Sequence, residues 1–282
     1  MNPLGINLWN WTNTLGPDAP GLIRRAARMG FTAVELPMTP PEPEGLDAIR
    51  AALEETGLAV TLCAGSAPDR SLASDDPALR KNALDYFSAC LRTARALGAA
   101  VFCGPLYGGA ANRHWLSPEE SAAEWDRAVA GLRALAPLAE DAGCVLALEP
   151  LQRYRTSMVN TAAQALRMVR EVDHPAVGVH FDTFHANIEE RDVVGAVQTV
   201  LEAGRLYHFH ACGNDRGAPG TGHLPWGELF TVLRRGGYTG HVTMETFRPG
   251  GLDAGWHPVE DDPDEVARMG IACLRKWFSG PM

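Results

Sequence analysis

The sequence predicts an α/β protein of one architecture, a closed (β/α)8 TIM barrel, and three observations carry that expectation. Eight short runs rich in apolar and β-branched residues alternate with longer amphipathic stretches along the whole chain. The 282 residues divide into about 35 per unit, the size of a strand, a helix and two loops. The rival architecture, an open doubly wound sheet, would carry a Gly-rich phosphate turn after its first strand, and INLWNWTNTLG contains no GxGxxG. No linker, low-complexity run or charge block interrupts the chain, so residues 1–282 are expected to form a single domain.

The strands are expected, in order, at Gly5–Trp11, Thr32–Met38, Ala59–Gly65, Ala100–Leu106, Val145–Leu151, Val177–Thr183, Leu206–Cys212 and His241–Phe247. Helical periodicity is clear at Leu22–Met29, Glu119–Asp141, Ala162–Val172 and Arg191–Ala203. Gly30, Gly57, Gly98 and Gly143 each follow a helical pattern and precede a strand, the place of a left-handed cap residue. The segment Tyr107–Ser117, rich in Gly and Ala with aromatic ends, reads equally as a mobile lid or a plain surface loop.

Composition narrows the function classes. With 46% hydrophobic residues the chain is not globally disordered, and no stretch approaches the roughly 18–20 apolar residues of a membrane span. The N-terminal MNPLGINLWNWTN does not read as a signal peptide, so a cytoplasmic protein with no membrane partner is expected. A net charge of −9, from 25 Lys and Arg against 34 Asp and Glu, argues against a phosphate-neutralising surface and hence against nucleic acid. Six cysteines without a CxxC pair read as buried thiols of a reducing compartment.

In such a barrel, function gathers at the C-terminal ends of the strands. Strand five ends in LALEPL with Glu149 at its tip, strand six in VHFDTFH with Asp182, and strand eight in VTMETF with Glu245. Strand seven, YHFHACG, puts His208 and His210 on one face. Alone, an acid at a strand end is usually a cap or a solvated charge, and a strand histidine is usually a hydrogen-bonded interior residue. Together they differ, because three carboxylates converging in a barrel mouth repel strongly unless a cation neutralises them. Three carboxylates and one imidazole suit Mn2+, Mg2+ or Co2+ better than a thiolate-type zinc site. His210 stands nearer the strand end than His208 and is therefore assigned to the ion. His208, His180 and Thr243 fall in the layer beneath, as packing or supporting groups.

The phrases LEPLQRY, HFDTFHANIEE, HFHACGNDRGAPGTGHLPW and VTMETF resemble the ketose 3-epimerases, the D-tagatose and D-allulose enzymes of the xylose-isomerase-like barrels. The resemblance spans nearly the whole chain. It implies one divalent ion, usually Mn2+, held by Glu149, Asp182, His210 and Glu245, with the sugar's O2 and O3 completing its coordination. It implies that Glu149 and Glu245 face opposite sides of C3, one removing its proton to give a cis-enediolate and the other returning a proton from the opposite face. His185 and Arg216 match residues that contact the sugar near the ion, and a homodimer or homotetramer is implied.

One position departs from that family. Relatives commonly read LEPLNRFE or LEVVNRFE, whereas LEPLQRYR places Arg155 where their glutamate contacts substrate. A hydrogen-bond acceptor has become a cationic donor, which bears on the substrate more than on the reaction. Arg155 either contacts the sugar, or turns outward to solvent or pairs with a nearby acid. The segment LWNWTN also lacks the YTYW phrase of some relatives. Other readings on the same barrel are an aldose–ketose, hydroxypyruvate or inosose enzyme, or a sugar-binding barrel without turnover. A multi-zinc repair endonuclease is disfavoured by the acidic charge and the few histidines at the mouth.

Overall fold

A computed structural model describes residues 1–65, 67–108, 115–252, 257 and 259–278. Eight parallel strands, β1 (Leu4–Asn7), β2 (Ala33–Pro37), β3 (Ala59–Cys63), β4 (Val101–Gly104), β5 (Val145–Leu148), β6 (Val177–Asp182), β7 (Leu206–Ala211) and β8 (Val242–Met244), pair in chain order. β1 pairs with β8, Gly5 opposite Thr243, which closes the barrel. Around it run α1 (Ala19–Met29), α2 (Leu46–Thr56), α3 (Pro77–Leu97), α4 (Pro118–Asp141), α5 (Ala162–Val172), α6 (Thr183–Glu189), α7 (Val193–Glu202), α8 (Trp226–Arg235) and α9 (Pro263–Phe278). No helix among the described residues is long and apolar enough to cross a membrane.

All eight expected strands form, but each is shorter than the sequence suggests, most of the loss falling at the C-terminal ends, where the chain turns into the mouth. β1 stops at Asn7, whose side-chain oxygen accepts a hydrogen bond from Trp9 N at 2.9 Å and turns Leu8–Asn10 into a 3-10 helix. β5 and β8 end one residue before Glu149 and Glu245. The helix expected at Arg191–Ala203 starts at Val193, because Asp192 caps it by accepting from Gly195 N at 2.9 Å. α6, which hydrophobic periodicity did not disclose, follows β6 without a linking loop: Asp182 Oδ1 accepts from His185 N at 3.0 Å and caps it. The four glycines expected in the left-handed region all take positive φ. Of the segment read as lid or loop, residues 109–114 lie outside the described residues.

The apolar core lies mainly between the sheet and its helices, where Ile6, Val34, Leu62, Phe102, Leu146 and Phe209 are buried. Inside the barrel the apolar residues dwindle to a small cluster that includes Cys63, Val101, Cys103 and Ala147. The rest of the interior is polar, and Asn7, Glu35, Thr61, His180, His208, His210 and Thr243 are all at most 1% exposed. Stability is thus concentrated outside the strands and chemistry inside them.

Gly104 shows how tightly the strand ends are drawn together. It has φ +124°, its carbonyl accepts from Glu149 N at 3.0 Å, and a Cβ on it would stand 2.2 Å from the Ala64 carbonyl oxygen. Gly98 also has positive φ (+69°) but faces open space. In urea titrations Gly98→Ala is expected to cost about 1–2 kcal/mol, the left-handed penalty alone. Gly104→Ala is expected to cost about 3 kcal/mol or more, because backbone strain and overpacking combine. Equal losses would show that the backbone approach at Gly104 imposes no constraint.

Candidate active site and metal centre

Four consecutive strands deliver the four residues singled out at their ends. Glu149, Asp182, His210 and Glu245 each offer one atom, and the four atoms lie within 4.8 Å of one another. All four residues are at most 4% exposed. Register accounts for the convergence, since β6 and β7 pair Asp182 opposite His210, and β7 and β8 pair His210 opposite Thr243, two residues before Glu245.

Each side chain is held by one atom and presents another. Asp182 uses Oδ1 to cap α6 and leaves Oδ2 without a hydrogen bond. His210 Nε2 stands 2.6 Å from Glu35 Oε1. A carboxylate can only accept, so the ring proton belongs on Nε2 and the lone pair on Nδ1. That Nδ1 lies 3.6 Å from Asp182 Oδ2 and 3.3 Å from Glu245 Oε1 and makes no hydrogen bond. Glu245 Oε2 accepts from Arg216 Nη1 at 2.7 Å. Glu149 Oε1 has no hydrogen bond, while its backbone carbonyl accepts from Tyr107 OH at 2.8 Å. Unpartnered buried oxygens and an imidazole lone pair aimed at one another are what a hard or borderline divalent cation coordinates, and the set fits such an ion.

Burial, with the charges of Glu245 and Asp182 added, pushes the Glu149 carboxyl well above its usual range. Burial also tends to raise Asp182, but the neighbouring His210 imidazole and the charges of Arg216 and His185 outweigh it and hold that group well below. The crowding that raises Glu149 is what a cation in the cluster would relieve.

Hydrophobic patterning did not disclose the anchor of this arrangement, Glu35. It sits in the middle of AVELP on β2, at 0% exposure. Oε1 accepts from Asn7 Nδ2 at 2.9 Å, and Oε2 accepts from Thr61 Oγ1 at 2.9 Å and Cys103 Sγ at 3.3 Å. Burial alone would raise its carboxyl, but His210 and His208 outweigh that and hold it well below the usual range. The signal for it was present: an acid flanked by Val34 and Leu36 in an otherwise apolar strand.

Above the cluster opens a cleft of about 190 Å3, lined by Trp9, Phe247, Arg155, His185, Arg216 and Leu151 among others. Trp9 and Phe247 stack with ring centres 5.5 Å apart and form one wall. His185 Nδ1 accepts from Gln152 N at 3.2 Å, while its Nε2 stands 3.2 Å from Arg216 Nη2 and 3.8 Å from Glu149 Oε1. Arg216 lies over the Phe184 ring at 3.9 Å, and its backbone has φ +65°, an uncommon conformation for a residue with a side chain. Arg155 lines the cleft and is half-buried.

A sequence profile of the family described as "Xylose isomerase-like TIM barrel" matches residues 23–277. A D-psicose 3-epimerase of Ruminiclostridium cellulolyticum is 31% identical over 273 residues, covering 93% of this chain and 91% of its own. A ketose 3-epimerase of Arthrobacter globiformis is 33% identical, covering 84% of this chain and 81% of its own. Among solved structures, a D-allulose 3-epimerase from Methylomonas sp. in complex with D-allulose superposes with a TM-score of 0.90. It is 26% identical and covers 98% of this chain and 97% of its own.

If Glu35 orients His210, Glu35→Gln keeps the shape and removes the charge that fixes the ring. Affinity for Mn2+, measured by competition with a chelator, is expected to fall about 10–100-fold. An unchanged affinity would show that His210 does not depend on Glu35.

Proposed function

Because this chain belongs to the xylose isomerase-like TIM barrels, and within them to the ketose 3-epimerases, it is an isomerase-class enzyme, and we propose the following chemistry for it. It inverts C3 of a free ketose, with Glu149 and Glu245 as the acid–base pair and Glu149, Asp182, His210 and Glu245 holding one ion, Mn2+ in preference to Co2+ or Mg2+. The observation that carries this reading is the pair of carboxylates facing one small cleft, each with an oxygen turned to the same point beside His210 Nδ1. Pure binding of a sugar has no need of two buried acids set against each other at such electrostatic expense.

A bound ion supplies Lewis-acid polarisation of the ketose and neutralises the three carboxylates. The protein does the proton transfer. One glutamate takes the C3 proton, and the electron pair of that C–H bond moves into a C2–C3 double bond while the carbonyl oxygen gains the charge. The other glutamate, protonated, delivers its proton to the opposite face of C3. Each turnover exchanges the protonation states of the pair, and proton exchange with solvent resets them. Arg216, ion-paired with Glu245, donates to sugar oxygens as charge develops on them, and His185 beside it contacts the sugar near the ion. Trp9 and Phe247 offer an apolar wall to the rest of the sugar. We extend the reading to a cytoplasmic, single-domain protein, and to the homodimer or homotetramer that the resemblance implies.

Glu149→Gln and Glu245→Gln are each expected to lower turnover by several orders of magnitude, since each removes a base and weakens a ligand. With the parent protein in D2O, deuterium is expected at C3 of the product of D-fructose or D-tagatose. Label at C1 and not at C3 would instead identify an aldose–ketose isomerase.

Arg155 sets the second test. Its guanidinium can only donate, and an anionic or acceptor-rich substituent gains more from it than a plain hydroxyl. Arg155→Glu is expected to reorder kcat/KM across a panel of ketoses by more than about tenfold, or ~1.4 kcal/mol. Values all within about twofold of the parent would remove Arg155 as a specificity residue.

A further inference from the structure

Beneath the cluster at the mouth, the barrel axis holds a second convergence of ligand atoms. Cys103 on β4, His180 on β6, and His208 and His210 on β7 each offer one atom within 4.8 Å of the others, and all four residues are at 0% exposure. His180 has no hydrogen bond at either ring nitrogen. His208 Nδ1 has none, and His208 Nε2 approaches Glu35 Oε2 at 2.7 Å without the alignment of a hydrogen bond. A neutral imidazole always carries one N–H and one lone pair. Such groups are overwhelmingly paired in folded interiors, so a wholly buried histidine with both nitrogens unpaired calls for a ligand.

We propose that Cys103, His180 and His208 bind a second divalent ion of the borderline class, Zn2+ or Co2+, inside the barrel below the site at its mouth. The donor types select the ion: one sulfur and two imidazole nitrogens suit Zn2+ or Co2+, whereas the oxygen-rich set above suits Mn2+ or Mg2+. The charges also match. Glu35 Oε2 lies 3.3 Å from Cys103 Sγ, so carboxylate and thiolate together offset a 2+ ion, while His180 and His208 coordinate as neutral rings. Burial pushes the Cys103 thiol up, so without an ion it keeps its proton. On binding, the S–H bond breaks, its electron pair becomes the metal–sulfur bond, and the proton leaves to solvent with no change of oxidation state. His210 separates the two sites, its Nδ1 turned to Asp182 and Glu245 and its Nε2 to Glu35.

The test is to strip the full-length protein of metal, reload it with Co2+, count bound ions by elemental analysis after dialysis, and record the near-ultraviolet spectrum. The expected result is two ions per chain and a thiolate-to-cobalt charge-transfer band. Cys103→Ser should bind one ion and lose the band, with an intact melting transition showing that it folds. Glu245→Gln, which weakens only the upper set, should keep the band, so a failure of the proposed epimerase site and a failure of this one read differently. One ion per chain in the parent protein, with no thiolate band, would overturn the proposal and assign the unpaired imidazoles to a buried water. Two ions without the band would overturn it as well. The parent protein's ion count and spectrum decide the matter even if Cys103→Ser does not fold.

Discussion

Everything at the centre of this barrel depends on one constraint: four carboxylates, Glu35, Glu149, Asp182 and Glu245, share a space from which water is nearly excluded. Charges of one sign in a weakly screening interior repel far more than at a surface, so each must find compensation within reach. Glu35 finds it in His208, His210, Asn7 and Thr61. Glu245 finds it in Arg216, and Asp182 in the first turn of α6 with Arg216 3.5 Å away. Glu149 is the least compensated, its nearest nitrogens standing 3.8 and 3.9 Å away on His185 and His180, and it carries the strongest upward push on its carboxyl. The unbalanced negative charge at Glu149 is of the kind a cation in the cluster would offset.

The polar interior is tolerable because the apolar core lies elsewhere. Between the strands and the ring of helices, Leu, Ile, Val and Phe side chains pack at essentially zero exposure, and that layer supplies most of the hydrophobic stabilisation. Released from that role, the inner faces of the strands can carry Cys103, His180, His208 and Glu35 in place of the branched aliphatics that usually fill such barrels. The strained features gather on the same side. Gly104 meets Ala64 closely, and Arg216 holds a left-handed backbone while pinned between Glu245 and the Phe184 ring.

The floor of the cleft and its rim carry charges of opposite sign. Glu149, Asp182, His210 and Glu245 occupy the strand ends together, while Arg155 brings a permanent positive charge to the wall of the cleft. In the proposed reaction the carboxylates at the floor would do the proton transfer, while the charge at the rim would bear on which sugar is accepted.

The sequence by itself determined the eight-fold alternation, the left-handed glycines after the helices, and the acids and histidine of the mouth. These are local signals: periodicity along one strand or helix, and residue type at its end. It could not determine where β5 and β8 stop, because Leu148 and Met244 are as apolar as the residues before them and only the neighbouring ladder decides which carbonyls are paired. Nor could it disclose that Glu35 lies under His210, or that Cys103, His180 and His208 meet on the axis. Those residues are 175, 77 and 28 positions apart at successive steps (Glu35 to His210, Cys103 to His180, His180 to His208). Their contact follows from the closure and register of the barrel, which pairs Asn7 with Glu35, Glu35 with Thr61 and Asp182 with His210. Side-chain parity along a strand is written in the chain, but which strands face one another across a closed sheet is a property of the fold.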